Sequence, residues 1–356
     1  MSGPVIVKQS AFPAQPFDRE RGSDDHVYLE ISITSPFNED GSYSPVKYQA
    51  TKTEAIIDKP SDYHLFIDRF SISGFDFPVS IFDPANPGTV SLQYNGDLVS
   101  QDLVFVRRGP PVPPTEPEYY FVYAINHYLE MLNTAFAAAF AALAAPPAGS
   151  LAPRMVFDSV AQRFKLYTSP EYDSTLVTPI NIYFNPTLQY RFPFFDQSAA
   201  DAALGLEVNT AQLYIQDTLT NTETINAQDY LVTTDEASSA AYWSPIQNII
   251  FTTNTIPVSN TFTDYQSDDR GAANSQPILI SFKLPVENYH AQNQNILFIP
   301  QTSINQLDLS TEIPLKKLDI ELLWQDYRGR TYPIRTPGGF TSDIKLLFVR
   351  KYSSTL

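Results

Sequence analysis

The sequence contains no cysteine, only 13 glycines among 356 residues, and charged side chains at just 17% of positions. The absence of cysteine excludes disulfides, thiolate nucleophiles and zinc sites with cysteine ligands. The scarcity of glycine argues against glycine-rich loops that cradle phosphates. Because ordinary domains carry about 25% charged residues, uncharged polar groups must form much of this protein's surface.

Motifs that would mark an enzyme are also missing. No two histidines are spaced as metal ligands on one element, and the sequence has no G-x-S-x-G, Walker or H-E-x-x-H motif. Asp264, Asp268 and Asp269 form an acidic cluster, but it lacks the D-x-D-x-D-G spacing of a calcium loop, which favours a solvated loop. We therefore predict that the protein is not an enzyme and has neither a cofactor nor a metal site.

The net charge of −16 limits the partners of the chain. An acidic surface repels phosphate backbones, so we expect no direct sequence-specific binding to nucleic acid. The longest apolar stretch, residues 121–145, is interrupted by polar side chains and does not resemble a membrane span. With 21 tyrosines and 24 phenylalanines, the chain has enough aromatic area to form a packed core.

Alternation of apolar and polar residues predicts many short strands. The clearest lie at residues 27–34, 278–284, 317–325 and 344–348. The segments MVFD and RFKLY, within residues 155–167, are typical of a hairpin, and the aromatic segment at 180–195 is interpreted as a strand pair.

One segment predicts a helix, at about residues 122–144, where apolar side chains recur three or four positions apart before Pro146 and Pro147 end it. A parallel α/β sheet would need a helix after most strands. The predicted fold class is therefore mainly all-β: an antiparallel jelly-roll β-sandwich with one amphipathic helix and an insertion region.

The domain organisation follows from composition and strand pattern. We predict an N-terminal arm at 1–25, a first part of the jelly-roll body at 26–195 with a proline-rich connector at 107–118, an outward insertion at 196–275, and closing strands at 276–356.

The charge is unevenly distributed. Residues 316–351 carry eight basic and four acidic side chains in an otherwise acidic chain, which favours copies that meet head to side. Arg328, Arg330 and Arg335 lie in a turn-rich part of this segment and are the predicted inter-subunit contacts. The alternative is that these charges only protect turns and edge strands from aggregation.

Two tryptophans receive different interpretations. Trp324 completes an alternating apolar face and is expected in the core, whereas Trp243, next to Tyr242, is a candidate surface aromatic that could stack on a sugar ring. A receptor- or carbohydrate-binding β-sandwich, either spike-like or lectin-like, is therefore the alternative function.

Four segments, in this order along the chain, resemble those of one protein family. They are KPSDYHLFIDRFSISGFDFPV at residues 59–79, the helix INHYLEMLNTAFAAAFAAL at 125–143, INIYFNPTLQYRFPFF at 180–195, and LDIELLWQDYRGRTYPIRTPGGFTSDIKLLFVRK at 318–351. Together they resemble the jelly-roll penton or minor capsid proteins of virophages and polinton-like tailless double-stranded DNA viruses.

The resemblance implies a viral capsid protein that is placed at the vertices of an icosahedral shell as a homopentameric penton. It implies as partners the chain itself, the major capsid protein and other minor capsid proteins, with a host receptor as a further partner. The expected location is the virion, after assembly inside the host cell.

Overall fold

The structure, a computed structural model, describes residues 6–10, 26–39, 43–73, 77–109, 112–217, 221–225, 227–258, 277–283, 295–298 and 307–351. The chain forms two compact units, the first comprising residues 1–77 and 245–356 and the second residues 78–244. The aspartate cluster at 264–269 and most of the predicted N-terminal arm lie outside the described residues.

The described residues form 24 strands and two α-helices, numbered here in chain order. The strands before residue 78 are β1 Ile6–Ser10, β2 His26–Thr34, β3 Ser44–Pro45, β4 Lys47–Thr51 and β5 Tyr63–Ser73. The strands of the second unit are β6 Ser80–Ile81, β7 Thr89–Tyr94, β8 Asp97–Asp102, β9 Phe121–Val122, β10 Arg154–Asp158, β11 Arg163–Thr168, β12 Asn181–Phe184, β13 Gln197–Ala199, β14 Ala211–Leu213, β15 Thr222–Ile225 and β16 Gln228–Thr234. The remaining strands are β17 Ile246–Thr252, β18 Ile278–Phe282, β19 Asn295–Phe298, β20 Leu307–Asp308, β21 Lys317–Asp326, β22 Thr331–Pro333, β23 Arg335–Thr336 and β24 Thr341–Arg350. The helices are α1 Ile125–Ala142 and α2 Pro186–Arg191.

The first unit is a jelly roll. Its two sheets contain β2-β24-β5-β19 and β4-β21-β17-β18, in these spatial orders, and all pairs are antiparallel. Counted as eight strands in chain order, the sheets read 1-8-3-6 and 2-7-4-5, which is the double Greek key of a jelly roll. The predicted fold class is therefore confirmed.

The two sheets of the jelly roll pack face to face through aromatic rings. Phe70 of β5 lies edge-on to Phe251 of β17, with ring centroids 5.0 Å apart, and 5.2 Å from Phe282 of β18. The alternating strands bury the expected side: Leu29 and Ile31 of β2 are fully buried. Strand β24 buries alternate residues in the same way, as its period of two predicts, and β21 does so except at Leu323, which is buried as well.

The second unit builds its own core around α1. This helix packs against β7, β8 and β10, and its ring of Phe136 lies 6.0 Å from Phe184 of β12. Two larger antiparallel sheets, with orders β13-β14-β12-β7-β8 and β10-β11-β16-β15, and the short pair β6-β9 complete the described part of the unit. The predicted helix is confirmed, although it is shorter at both ends than residues 122–144.

The aromatic segment at 180–195 corrects one prediction, because only Asn181–Phe184 within it is a strand. Asn185 caps α2 by accepting a hydrogen bond from the backbone N–H of Leu188 at 3.2 Å, and Pro186 occupies the first helical turn. Asparagine followed by proline is a strong helix start, and this local signal overrides the apolar run that suggested a second strand.

The division of the chain differs from the predicted domain boundaries. The compact second unit lies between β5 and β17, the third and fourth strands of the jelly roll, so it begins at residue 78 rather than 196. The predicted boundaries failed because the strands of both units alternate in the same way, and periodicity does not reveal which sheet a strand joins. The outward orientation expected for 196–275 stays a prediction.

The prediction of Trp243 as a surface aromatic is wrong. Its side chain is only 5% exposed, stacks on Phe164 with centroids 5.0 Å apart, and donates its indole N–H to the carbonyl of Arg191 at 2.9 Å. Burial satisfies both parts of the side chain, the apolar ring and the polar N–H, so this tryptophan belongs to the core of the second unit.

A buried carboxyl group lies beside this aromatic core. Asp235 follows β16 and accepts a hydrogen bond from the backbone N–H of Phe164 at 3.1 Å through Oδ1. Its Oδ2 has no hydrogen-bond partner among the described residues, and neither has the buried hydroxyl of Ser239. Burial raises the pKa of the Asp235 carboxyl to about 6.

The raised pKa predicts that acid stabilises the second unit. The folded carboxyl keeps its proton up to about pH 6. The unfolded one releases its proton near pH 4. Folding stability should therefore fall as pH rises through 6. We expect Asp235→Asn to raise Tm at pH 7.5 by roughly 3 °C and to remove this pH dependence.

The measurement uses Trp243 fluorescence in a Trp324→Phe background, in which Trp243 is the remaining tryptophan and reports on the second unit. The exposed Asp229 of β16 gives a matched control, since Asp229→Asn should leave the melting temperatures at pH 5 and at pH 7.5 unchanged. If Asp235→Asn kept the wild-type difference between pH 5 and pH 7.5, the assignment would be contradicted.

Candidate assembly surface

Two loops of the jelly roll, one between β2 and β4 and one between β21 and β24, are hydrogen-bonded to each other at one end of the sandwich. The backbone N–H of Ser35 donates to Phe340 at 2.9 Å, that of Gly339 donates to Ser35 at 2.9 Å, and that of Val46 donates to Ile334 at 2.8 Å. Short strands β3 and β23 pair within the same region. We call residues 35–39, 43–46 and 327–340 the loop platform.

Phe37 is an exposed aromatic residue held against the backbone of the loop platform. A Cβ atom on Gly338 would lie 2.6 Å from the Phe37 ring and 2.7 Å from its Cα, so only glycine allows this approach. The side chain nevertheless remains 85% exposed. One face of the ring is therefore supported while most of its area faces solvent.

The turn between β21 and β22 is organised by one buried carboxylate. Asp326 is 4% exposed, and its Oδ1 accepts hydrogen bonds from the backbone N–H groups of Arg328 at 2.8 Å and Arg330 at 2.9 Å. The phenol of Tyr332 donates to its Oδ2 at 3.5 Å, and Gly329 completes the turn with φ +80°. These hydrogen bonds hold the turn in place from its buried side.

The fixed turn displays two side chains at its tip. Tyr327 is 64% exposed, and the guanidinium of Arg328 lies 5.3 Å from the centroid of its ring. Arg328 is exposed and makes no ion pair with any described residue. The tip thus presents a stacked tyrosine–arginine pair whose positive charge is available for a partner.

The other two predicted arginines lie in the same loop platform but are less exposed. Arg330 is half-buried and its carbonyl accepts from the backbone N–H of Asp326 at 2.9 Å. Arg335 is half-buried in β23 opposite Pro45, and its Nε is buried without a hydrogen-bond partner in the described part of the chain. The structure therefore brings the three arginines into one region, and their role in subunit contacts stays a prediction.

Other basic residues of the segment 316–351 are already paired. Lys345 forms an ion pair with Asp68 at 3.0 Å, and Lys351 forms one with Asp308 at 3.3 Å. Both partners lie outside the segment, so its excess of positive charge is partly neutralised within the fold. Arg328, in contrast, is one of the basic residues of this segment whose charge is exposed to solvent.

Sequence reasoning missed three residues of this surface, Phe37, Asp326 and the neighbouring Tyr327. The signal for Phe37 was the Gly338-Gly339 pair, but its partner is about 300 residues away along the chain and only the fold connects them. The signal for Asp326 was an aspartate three residues before Gly329, a common turn pattern. Neither pattern indicates by itself a surface used in assembly.

A family model described as the Sputnik minor capsid protein V18/19 matches residues 27–350. The chain belongs to this family. Structural protein V19 of the Sputnik virophage is 26% identical over 208 residues, which cover 55% of this chain and 93% of that protein. The uncharacterized protein V18 of the same virophage is 34% identical over 145 residues, covering 34% of this chain and 86% of that protein.

Solved structures agree with this family. A chain in the 3.5 Å cryo-EM structure of the Sputnik virophage is similar with a TM-score of 0.74 and 26% identity, covering 93% of this chain and 99% of that one. The selenomethionine-labelled mavirus penton protein has a TM-score of 0.68 over 91% of this chain and 99% of its own, and at 17% identity it supports the fold alone.

Family membership makes the chain a structural protein of a viral capsid and not an enzyme. None of the described helices combines the length and the hydropathy needed to cross a bilayer. Within the described ranges, no group of three or more acidic or histidine side chains is arranged to hold a metal ion. The lectin-like alternative loses its candidate residue, because Trp243 is buried.

The turn that carries Tyr327 should depend on Asp326. We expect Asp326→Ala to lower the free energy of unfolding of the first unit by about 2 kcal/mol, because it removes an acceptor shared by two backbone N–H groups. Asp326→Asn keeps an acceptor oxygen and should cost less. Urea unfolding followed by Trp324 fluorescence in a Trp243→Phe background measures both, since Trp324 stacks on Tyr332 with centroids 4.4 Å apart.

Asp58, an exposed aspartate of the same unit, provides the control. Asp58→Ala should change the free energy of unfolding by no more than about 0.5 kcal/mol. An effect of Asp326→Ala as small as that of the control would show that the carboxylate does not hold the turn.

Proposed function

We propose that the protein is a penton capsomer, in which five copies form a ring at a vertex of an icosahedral shell. Each copy would contact its neighbour through the loop platform, with Arg328 directed at acidic side chains of the adjacent copy. The supporting observation is the exposed Tyr327–Arg328 tip, held rigidly by a buried carboxylate in a chain of a capsid family.

Charge supports this kind of contact. The chain has a net charge of −16, and residues 78–244 carry seventeen acidic against six basic side chains. Identical acidic copies repel one another unless a positive site on one copy meets a negative site on the next. Such a contact joins two different surfaces and therefore generates a closed ring when the rotation between copies is one fifth of a turn.

The chemistry of the tip suits a subunit interface. Tyrosine and arginine are enriched among residues whose truncation strongly weakens protein–protein binding. A turn that is already fixed loses little conformational entropy when it docks, so more of the contact energy appears as affinity. Phe37 adds apolar area to the same loop platform.

Other capsid proteins of the shell are the further partners in this proposal. A ring at a vertex is surrounded by the proteins that form the faces, so the major capsid protein and other minor capsid proteins would contact its outer rim. A host receptor stays a prediction from the sequence, since no described residue singles out a receptor site.

Charge reversal at the tip should prevent ring formation. We expect Arg328→Glu to weaken subunit association at least tenfold, because attraction to an acidic neighbour becomes repulsion. Lys317→Glu, which makes the same change at an exposed position of β21 outside the loop platform, should leave association unaffected. Native mass spectrometry of the full-length protein over a concentration series gives the fraction of five-subunit rings.

Trp324 fluorescence melting checks that both variants fold. Rings that persist in Arg328→Glu, at the wild-type fraction, would remove this residue from the interface. A wild-type protein that stays monomeric at the highest soluble concentration and is absent from the vertices of assembled shells would refute the penton function itself.

A further inference from the structure

The first strand of the chain covers an edge of the jelly roll. All five residues of β1 pair with β2, from Ile6 opposite Ser32 to Ser10 opposite Tyr28. On its other side, β2 pairs with β24 along its whole length. Without β1, the backbone groups on one side of β2 would form an unpaired edge, which is the kind of edge that recruits a further strand.

The connection between β1 and β2 is much longer than this pairing needs. Because Ser10 lies opposite Tyr28, the end of β1 is next to the beginning of β2. Antiparallel neighbours of this kind are usually joined by two to five residues. Here fifteen residues, 11–25, separate the two strands. Fully extended, a segment of that length reaches about 50 Å, which exceeds the diameter of a small domain.

The pairing is specified by the two strands and not by the connection. Val7 lies opposite the buried Ile31, and Lys8 lies opposite Glu30, which also forms an ion pair with Arg69 of β5 at 2.9 Å. A slip by one residue would move Val7 away from this buried position. The same five residues would therefore select the same register on any copy of β2 within reach.

We propose that β1 is exchanged between subunits, so that residues 6–10 of one copy pair with residues 28–32 of the neighbouring copy in the ring. This inference rests on the ring proposed above. In a ring, a neighbour's edge is present at high effective concentration, and the long connection allows β1 to reach it. Backbone hydrogen bonds between copies would then add to the side-chain contacts of the loop platform.

The absence of cysteine allows a direct test. The full-length variant Lys8→Cys/Glu30→Cys, bridged by oxidation or by a short bismaleimide, links the two strands wherever they pair. Exchange should give a ladder of covalent dimers to pentamers on a denaturing gel. Pairing within one chain gives only monomers. Lys8→Cys/Gln49→Cys, whose second position lies in the other sheet, is the matched control and should give no ladder.

A second arrangement separates exchange from chance collisions. When tagged Lys8→Cys and untagged Glu30→Cys copies are assembled together, exchange should produce a mixed covalent dimer at several times the yield of the control pair. The variant Ser10→Cys/Tyr28→Cys repeats the test at another register position if the first fails to fold.

The outcomes distinguish the two proposals. Covalent products confined to monomers, in a sample whose native mass shows intact pentamers, would overturn the exchange and leave the penton function standing. A native mass that shows no pentamer before any crosslinking would overturn both.

Discussion

The structure depends on the contact between two sheets through Phe70, Phe251 and Phe282. These rings lie 5.0 to 6.0 Å apart and join strands from both halves of a chain that is interrupted by 167 residues. The jelly roll can accept such an insertion because the chain leaves after β5 and returns at β17, and both strands are held in place by this core. A second unit with its own aromatic interior can then fold without contributing to the sandwich.

The same core determines what the loops can do. Loops connect the strands at each end of a β-sandwich. Here two of these loops are hydrogen-bonded to each other, and they are supported by Asp326 and by the glycines that contact Phe37. Loops usually adapt on binding and lose entropy as they do so. A loop platform that is hydrogen-bonded within one subunit can present a defined shape to identical neighbours, which is what repeated assembly into one geometry requires.

The sequence predicts the parts of this molecule that depend on local patterns. Alternation identifies β2, β21 and β24 with their buried sides, and the three-to-four spacing identifies α1. Sequence patterns do not predict the features that depend on contacts between residues far apart along the chain. Trp243 could be assigned to surface or core only by knowing that Phe164, 79 residues away, provides a ring to stack on. The boundaries of the second unit depend likewise on which sheet each strand joins.

The sign of the charge explains how such a protein can assemble without aggregating. In the proposed ring, five copies that each have a net charge of −16 would repel one another in most orientations. In that ring, the exposed positive tip of one copy would meet an acidic surface of the next in few orientations, so electrostatics would supply specificity while apolar area and backbone pairing would supply affinity. Because the repulsion acts between most parts of two copies and this attraction needs one orientation, the orientation that closes a ring is favoured over the many contacts that would not close.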